Sequence, residues 1–412
     1  MCAVRGEESV PDEPFELLSL LGTGGFAHTY KARVLDEDLS EEFGTDVVAL
    51  KDPIKGKERV LKREVEMGAS LHLRLKDIQS RNIVRYLGFT VFRGKIVMLM
   101  EYIAGGSLRH KLGEIGRQRR LPVEEAVRIA EGVLAGVEVI HQEHVFHRDI
   151  KPENILMEGQ TPKIADLGIA RMLDANELAS TGAGTIFYMS PELLGREGAS
   201  FTSDLWSLGV TLYEMLTGTL PFGDLDTPLG ELADMIRRME HRPACELNPE
   251  IPSALSAIID RSLRKKSTDR YTSATEMREA LRQFRQRAQN QIEEEMAAIR
   301  EAMAGMDQIG HAEAKIRKLV AKYPRDARAY QYLGEFYNRC QRFPEALAAF
   351  EKGLEIDRDH ALLHWDLALA YQRTGRREHA ARALKRAIAL GLDASLQRHA
   401  ATLLKVLERD GA

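Results

Sequence analysis

Between residues 15 and 284 the hydrophobic pattern changes once, from runs of strand length to helical spacing, and that change restricts the fold class. Apolar runs at 15–21, 29–35, 47–51 and 96–103 are short and bounded by glycine or polar stretches, so they read as strands. Residues 57–75 interrupt them with helical composition. From Leu121 onward helices dominate. Pro122, Val123, Glu124 and Glu125 suit a helix start, because proline is tolerated in the first turn and acids favour the positive end of the helix dipole. Val127, Ala130, Val133, Leu134, Val137 and Ile140 then share one helical face. Helices continue over 200–284, broken by Gly218, Pro221 and Pro252. Strands first and helices second is an α+β order, consistent with two lobes at about 15–103 and 104–284.

Past residue 284 glycine becomes sparse and Ala, Arg, Glu and Leu dominate. A shift of 34 residues lays Leu333 on Leu367, Gly334 on Ala368, Tyr337 on Tyr371 and Ala346 on Ala380. The reverse shift lays Leu333 on Ile299, Tyr337 on Met303 and Ala346 on Ala312. Units at 293–326, 327–360 and 361–394 follow, after a helical linker at 285–292 and before a capping helix that ends near 409. Small residues let paired helices approach, and large ones fill the space between neighbours. The period and these positions resemble tetratricopeptide repeats, an all-α domain; a plain helical bundle is the other reading. The resemblance implies a concave face lined by Arg328, Gln331, Glu335 and Asn338 in the middle unit and by Leu362, Trp365, Leu369 and Gln372 in the last. A peptide or protein ligand is expected there, anchored on Trp365 and Leu369, unless Trp365 packs inward against the middle unit.

Composition excludes several classes. With 58 basic and 62 acidic residues, a net charge of −4 gives no general attraction for nucleic acid or anionic membranes. No apolar run reaches the roughly 18–20 residues that span a bilayer. Cys2, Cys245 and Cys340 are too few and too scattered for a disulfide framework or a zinc site. Residues 1–14 form a polar leader without a secretory signal, so a cytoplasmic protein is expected.

The chemistry-bearing residues occur in a fixed order. Leu21, Gly22, Thr23, Gly24, Gly25, Phe26, Ala27, His28 and Thr29 join two predicted strands. Glycines there let backbone N–H groups approach phosphate oxygens, although a plain glycine hairpin has the same composition. Val48, Ala49, Leu50 and Lys51 then put a lysine on the next strand, where the bland reading is a solvated face. His147, Arg148, Asp149, Ile150, Lys151, Pro152, Glu153 and Asn154 follow much later, with Asp166, Leu167 and Gly168 twelve residues beyond Asn154. In this order the chain resembles the protein kinase family over about residues 15–284, which implies the two-lobed protein kinase fold.

That resemblance assigns roles. Leu21, Gly22, Gly24, Ala27 and Thr29 would surround ATP, and Lys51, paired with Glu64, would hold its α- and β-phosphates. Glu101 and Ile103 would offer hinge backbone to adenine, and Met100 before them is equally a core residue. Asp149 would be the base and Lys151 would neutralise charge on the transferring phosphoryl group. Asn154 and Asp166 would hold Mg2+. Lys151 and the stretch from Gly184 to Glu192, with Thr185 near the base, point to serine/threonine acceptors on protein substrates. Glu192 is expected to pair with Arg270, and Asp204 to hold the catalytic-loop backbone. Arg148 could receive a phosphate carried by Ser180 or Thr181, or those hydroxyls could be merely solvated. His147 is structural; His141 and His144 have no assigned role, and none of the three is expected to bind metal.

The chain departs from the family at Ala27 (for a third glycine), Thr29 (for valine) and Leu167 (for phenylalanine). None of these removes a charged catalytic group, so an active kinase that uses its repeats for recruitment is expected. A nucleotide-binding pseudokinase that works mainly as a scaffold is the alternative.

Overall fold

The early apolar runs form a five-stranded antiparallel sheet in the computed structural model, which describes residues 13–24, 27–56, 80–115, 120–166, 183–195, 198, 200–304, 309–324 and 326–409. Its strands are β1 (Phe15–Thr23), β2 (Ala27–Val34), β3 (Val47–Pro53), β4 (Tyr86–Phe92) and β5 (Lys95–Glu101), in the order β1-β2-β3-β5-β4. One face buries Phe15, Val48, Leu50, Val97 and Leu99, and the other buries Ala49, Met98 and Met100, so β3 and β5 are apolar on both sides. Met100 is therefore a core side chain. The sequence pattern did not reveal β4, an edge strand that leaves Phe89 and Val91 exposed, or the short helix α1 (Glu37–Phe43). The expected helix at 57–75, with Glu64 in it, lies outside the described residues.

The following residues are mainly helical. α2 (Leu108–Glu114) starts at Ser107, whose side chain accepts from the His110 N–H. α3 (Val123–Gln142) buries the expected face from Val127 to Ile140. β6 (Ile155–Glu158) and β7 (Thr161–Ile164) form a hairpin, followed beyond residue 200 by α4 (Phe201–Thr217) and α5 (Ser253–Ser262). α4 is buried on nearly all sides, Trp206, Leu208 and Leu212 included, and is the centre of this core. Burial all round tells a core helix from the amphipathic α3.

The chain divides into two compact units, residues 1–285 and 286–412. α6 (Ala274–Ala304) runs through the boundary, placing Ala274, Met277 and Leu281 in the first core and Met296 and Ile299 in the second. The second unit continues with α7 (Ile309–Lys322), α8 (Ala327–Arg339), α9 (Phe343–Ile356), α10 (Ala361–Arg373), α11 (Arg377–Leu390) and α12 (Ala394–Arg409). The bounds of α8 and α10 differ by 34 residues, as do those of α7, α9 and α11. A Cβ on Gly334 would lie 2.3 Å from the Phe350 ring, so glycine is what lets α8 and α9 approach. One period later the pair is Ala368 and Leu384, a larger residue facing a smaller one within one cluster.

Trp365 is half-buried against the cluster of Ala368, Leu384, Ala387 and Ala400, which belongs to α10, α11 and α12. Trp365 therefore takes part in packing the last helices. Gln331, expected on a ligand-binding face, is buried and donates from Nε2 to Asp366 Oδ2 at 2.6 Å. Among the described residues no helix is long and apolar enough to cross a membrane.

Candidate active site

The glycine segment is the β1–β2 turn. Gly22 pairs with Thr29 in the ladder, and Thr29 pairs with Lys51 on β3, so the segment lies beside the lysine. Gly24 N donates to Ala27 O at 2.9 Å, and among the described residues a Cβ on Gly22 would meet no atom within 4 Å. A small residue there suits a backbone cradle for phosphates, which needs room beside the main chain. Ala27 is buried without a positive φ, so its methyl group costs no backbone strain. Leu21 is exposed.

Lys51 Nζ reaches Asp166 Oδ1 at 3.0 Å, joining β3 to the segment after β7. Burial pushes the Asp166 carboxyl up, but the Lys51 ammonium outweighs it, with help from His147 and Lys151, and holds the group below the usual carboxylate range. Asp166 has φ 55°, a left-handed backbone uncommon outside glycine, held in place by surrounding contacts. Glu64 lies outside the described residues, as do Leu167, Ser180 and Thr181.

Residues 147–154 are hung on α4. Asp204, almost fully buried, accepts from the N–H of His147 at 2.8 Å and of Arg148 at 2.7 Å. These two bonds support the Arg148 backbone at φ 65°. His141 Nε2 lies 2.8 Å from the same carboxylate, so His141 does have a role in this anchor, contrary to the sequence expectation. His147 Nε2 meets Ala165 O at 3.0 Å, and burial lowers its pKa despite nearby Asp204 and Asp149. His144 has φ 57° at the turn after α3.

Asp149, Lys151 and Asn154 converge. Asn154 Nδ2 donates to Asp149 O and to Asp149 Oδ2, both at 2.8 Å. Lys151 Nζ lies 3.1 Å from Asp149 Oδ2 and donates to Thr185 Oγ1 at 2.8 Å. The stretch expected to receive the acceptor thus sits one lysine away from the carboxylate expected to orient it. With the Asn154 nitrogen committed to Asp149, its amide oxygen is the atom suited to a hard cation, next to the Asp166 carboxylate in sequence role. Among the described residues no group of three or more His, Cys, Asp or Glu could hold a metal. Two oxygen donors fit magnesium, which binds few protein groups and completes its shell with phosphate oxygens and water.

Glu101 accepts from Lys163 Nζ and from the Arg85 N–H, each at 2.8 Å, and Ile103 is buried beside it in sequence. Glu192 and Arg270 form the expected pair, with both guanidinium nitrogens at 2.8 Å from the carboxylate. Burial would raise the Glu192 pKa, but the Arg270 hydrogen bonds lower it. Arg109 was not indicated by the sequence: it binds Glu153, Glu214 and Tyr188. Its partners lie 44 to 105 residues away, and no local pattern reports such a convergence.

The protein kinase domain family matches residues 15–283. A Clostridium perfringens protein named as a probable serine/threonine-protein kinase is 32% identical over 266 residues, covering 64% of this chain and 37% of its own. Mitogen-activated protein kinase kinase kinase 3 of Arabidopsis thaliana is 30% identical over 276 residues, covering 64% of this chain and 41% of its own. An inactive serine/threonine-protein kinase of Mus musculus is 34% identical over 244 residues, covering 58% of this chain and 38% of its own. The chain thus spans 37% to 41% of the length of these relatives.

Proposed function

Because the chain belongs to the protein kinase family, we propose that it transfers the γ-phosphoryl group of ATP to serine and threonine hydroxyls of protein substrates. The observation that carries this reading is the link from Asp149 through Lys151 to Thr185. A hydroxyl lying against Thr185 would point its proton toward Asp149. As its oxygen forms a bond to γ-phosphorus, the bond to the bridging oxygen of ADP breaks and the proton passes late to Asp149. Lys151 supplies positive charge where the transferring group becomes exposed, and Lys51 fixes the α- and β-phosphates. Leu21, Gly22, Gly24, Ala27 and Thr29 cover the nucleotide, while backbone at Glu101 and Ile103 receives adenine. Asn154 and Asp166 would hold Mg2+, which neutralises charge on the phosphates when bound. Glu64 would position Lys51.

The second unit is read as tetratricopeptide repeats that recruit a partner or substrate, on the strength of its 34-residue structural period. One observation favours a second reading, a nucleotide-binding scaffold: a relative named as inactive matches at 34% identity, so similarity alone does not separate the two. The test is incubation of the full chain with radiolabelled ATP, magnesium and a generic protein acceptor, followed by phosphoamino-acid analysis. Label on serine or threonine supports the kinase reading. Label on tyrosine alone, or none, opposes it.

A further inference from the structure

Arg109, on α2, ties together three elements that surround the acceptor position. Its Nε donates to Glu153 Oε1 at 2.8 Å, its Nη1 to Glu214 Oε1 at 2.5 Å, and its Nη2 to Tyr188 Oη at 2.5 Å and Glu214 Oε2 at 3.2 Å. The Tyr188 hydroxyl donates in turn to Glu214 Oε2 at 2.5 Å. Glu153 lies between Lys151 and Asn154 in the catalytic segment, and Tyr188 lies three residues beyond Thr185. Two carboxylates therefore share a single guanidinium, one from the segment that carries Lys151 and one bonded to the tyrosine of the stretch that carries Thr185.

The arrangement opens to solvent on its Arg109 and Glu153 side and is buried at Tyr188. The side chains of Glu153 and Arg109 are 44% and 37% exposed, while that of Glu214 is 12% exposed. A peptide laid across Lys151 and Thr185 would pass this place, and two acids there would ordinarily reward a basic side chain. Here the chain's own arginine makes those bonds. A tethered group outcompetes a free one of the same chemistry because its effective concentration is high.

Resting on the kinase reading above, we propose that Arg109 determines substrate specificity: it occupies from within the anionic seat beside the acceptor, so basic residues flanking the substrate hydroxyl bring no advantage. Removing its charge would turn that seat into a selector for arginine on the peptide.

The test measures kcat/KM with the full chain on serine peptides in an alanine background, with one arginine walked through the flanking positions. Wild type should show a flat profile, and Arg109→Met should favour arginine at one position by about tenfold or more, the lower end for one charge-assisted contact. Arg109→Lys keeps the charge and should stay flat, while Arg109→Met combined with Glu153→Gln should lose most of the gain. A flat profile in Arg109→Met with transfer intact overturns the proposal and leaves the kinase reading standing. A wild-type profile that already favours arginine at that position overturns it too. If Arg109→Met is unfolded by circular dichroism, Arg109→Gln is compared in the same way. Absence of transfer by wild type onto every peptide removes the kinase reading and this inference with it.

Discussion

In the first unit the structural contacts reach across long stretches of chain: Lys51 meets Asp166 across 115 residues, and Arg270 meets Glu192 across 78. In the second unit Tyr337 meets Arg317 and Tyr371 meets Glu351, each across 20 residues, and the two contacts are one 34-residue period apart. The first pattern holds particular polar atoms in one place, as chemistry requires. The second repeats a packing solution, with each helix pair leaning on its neighbours. Polar substitutions should therefore be felt most in the first unit, and changes of side-chain volume most in the second.

The largest effect is expected from Lys51→Met. It removes the ammonium that pairs with Asp166 and would position the phosphates, and should lower transfer by about a hundredfold or more. The melting curve of the second unit should not move. A variant with wild-type turnover would show that the long-range pair is structural only.

A volume change sharpens the other side of the comparison. Gly334→Ala drives a methyl group into the fully buried Phe350 ring and should destabilise the second unit by about 1–2 kcal/mol, after the better helix propensity of alanine is allowed for. Adding Phe350→Leu, which recreates the Ala368 and Leu384 pairing of the next period, should recover most of the loss in a denaturant titration. No recovery would mean that the two periods do not share one packing rule.

A pH dependence tests the second unit in another way. Burial, reinforced by Glu335, pushes the Asp366 carboxyl up to about 7, against a hydrogen bond from Gln331 that acts to lower it. Folded Asp366 then keeps a proton that the unfolded chain releases near the ordinary carboxylate pKa. Its contribution to stability is full below about pH 4 and is lost as pH rises through about 7. Asp366→Asn should flatten that part of the melting-temperature profile of the second unit, and an unchanged slope would show that another group titrates.

What the sequence reveals differs between the units for the same physical reason. α3 was legible because its buried face follows helical spacing, and β1, β2, β3 and β5 because their apolar runs have strand length. β4 was not, since an edge strand with Phe89 and Val91 outward and Gly88 inside lacks a clean alternation. α1 was hidden by its length, seven residues with Phe43 as its buried side chain. At the site, the anchoring of His147 and Arg148 by Asp204 could be expected from motif order, whereas His141 and Arg109 depend on partners that sequence spacing does not bring together. In the second unit the period was legible, but the direction of Trp365 depends on where α11 and α12 pack, which a repeat pattern leaves open.

The central claim is that Asp149 orients an acceptor hydroxyl on a nucleotide-loaded kinase. The most direct test compares wild type with Asp149→Asn in the full chain, measuring magnesium-ATP affinity and phosphoryl transfer on the same preparations. The account predicts nearly equal nucleotide affinity and a fall in transfer of about a hundredfold to ten-thousandfold, the range for loss of a positioned base. Equal transfer by the two proteins, or nucleotide binding without transfer in wild type, would contradict it.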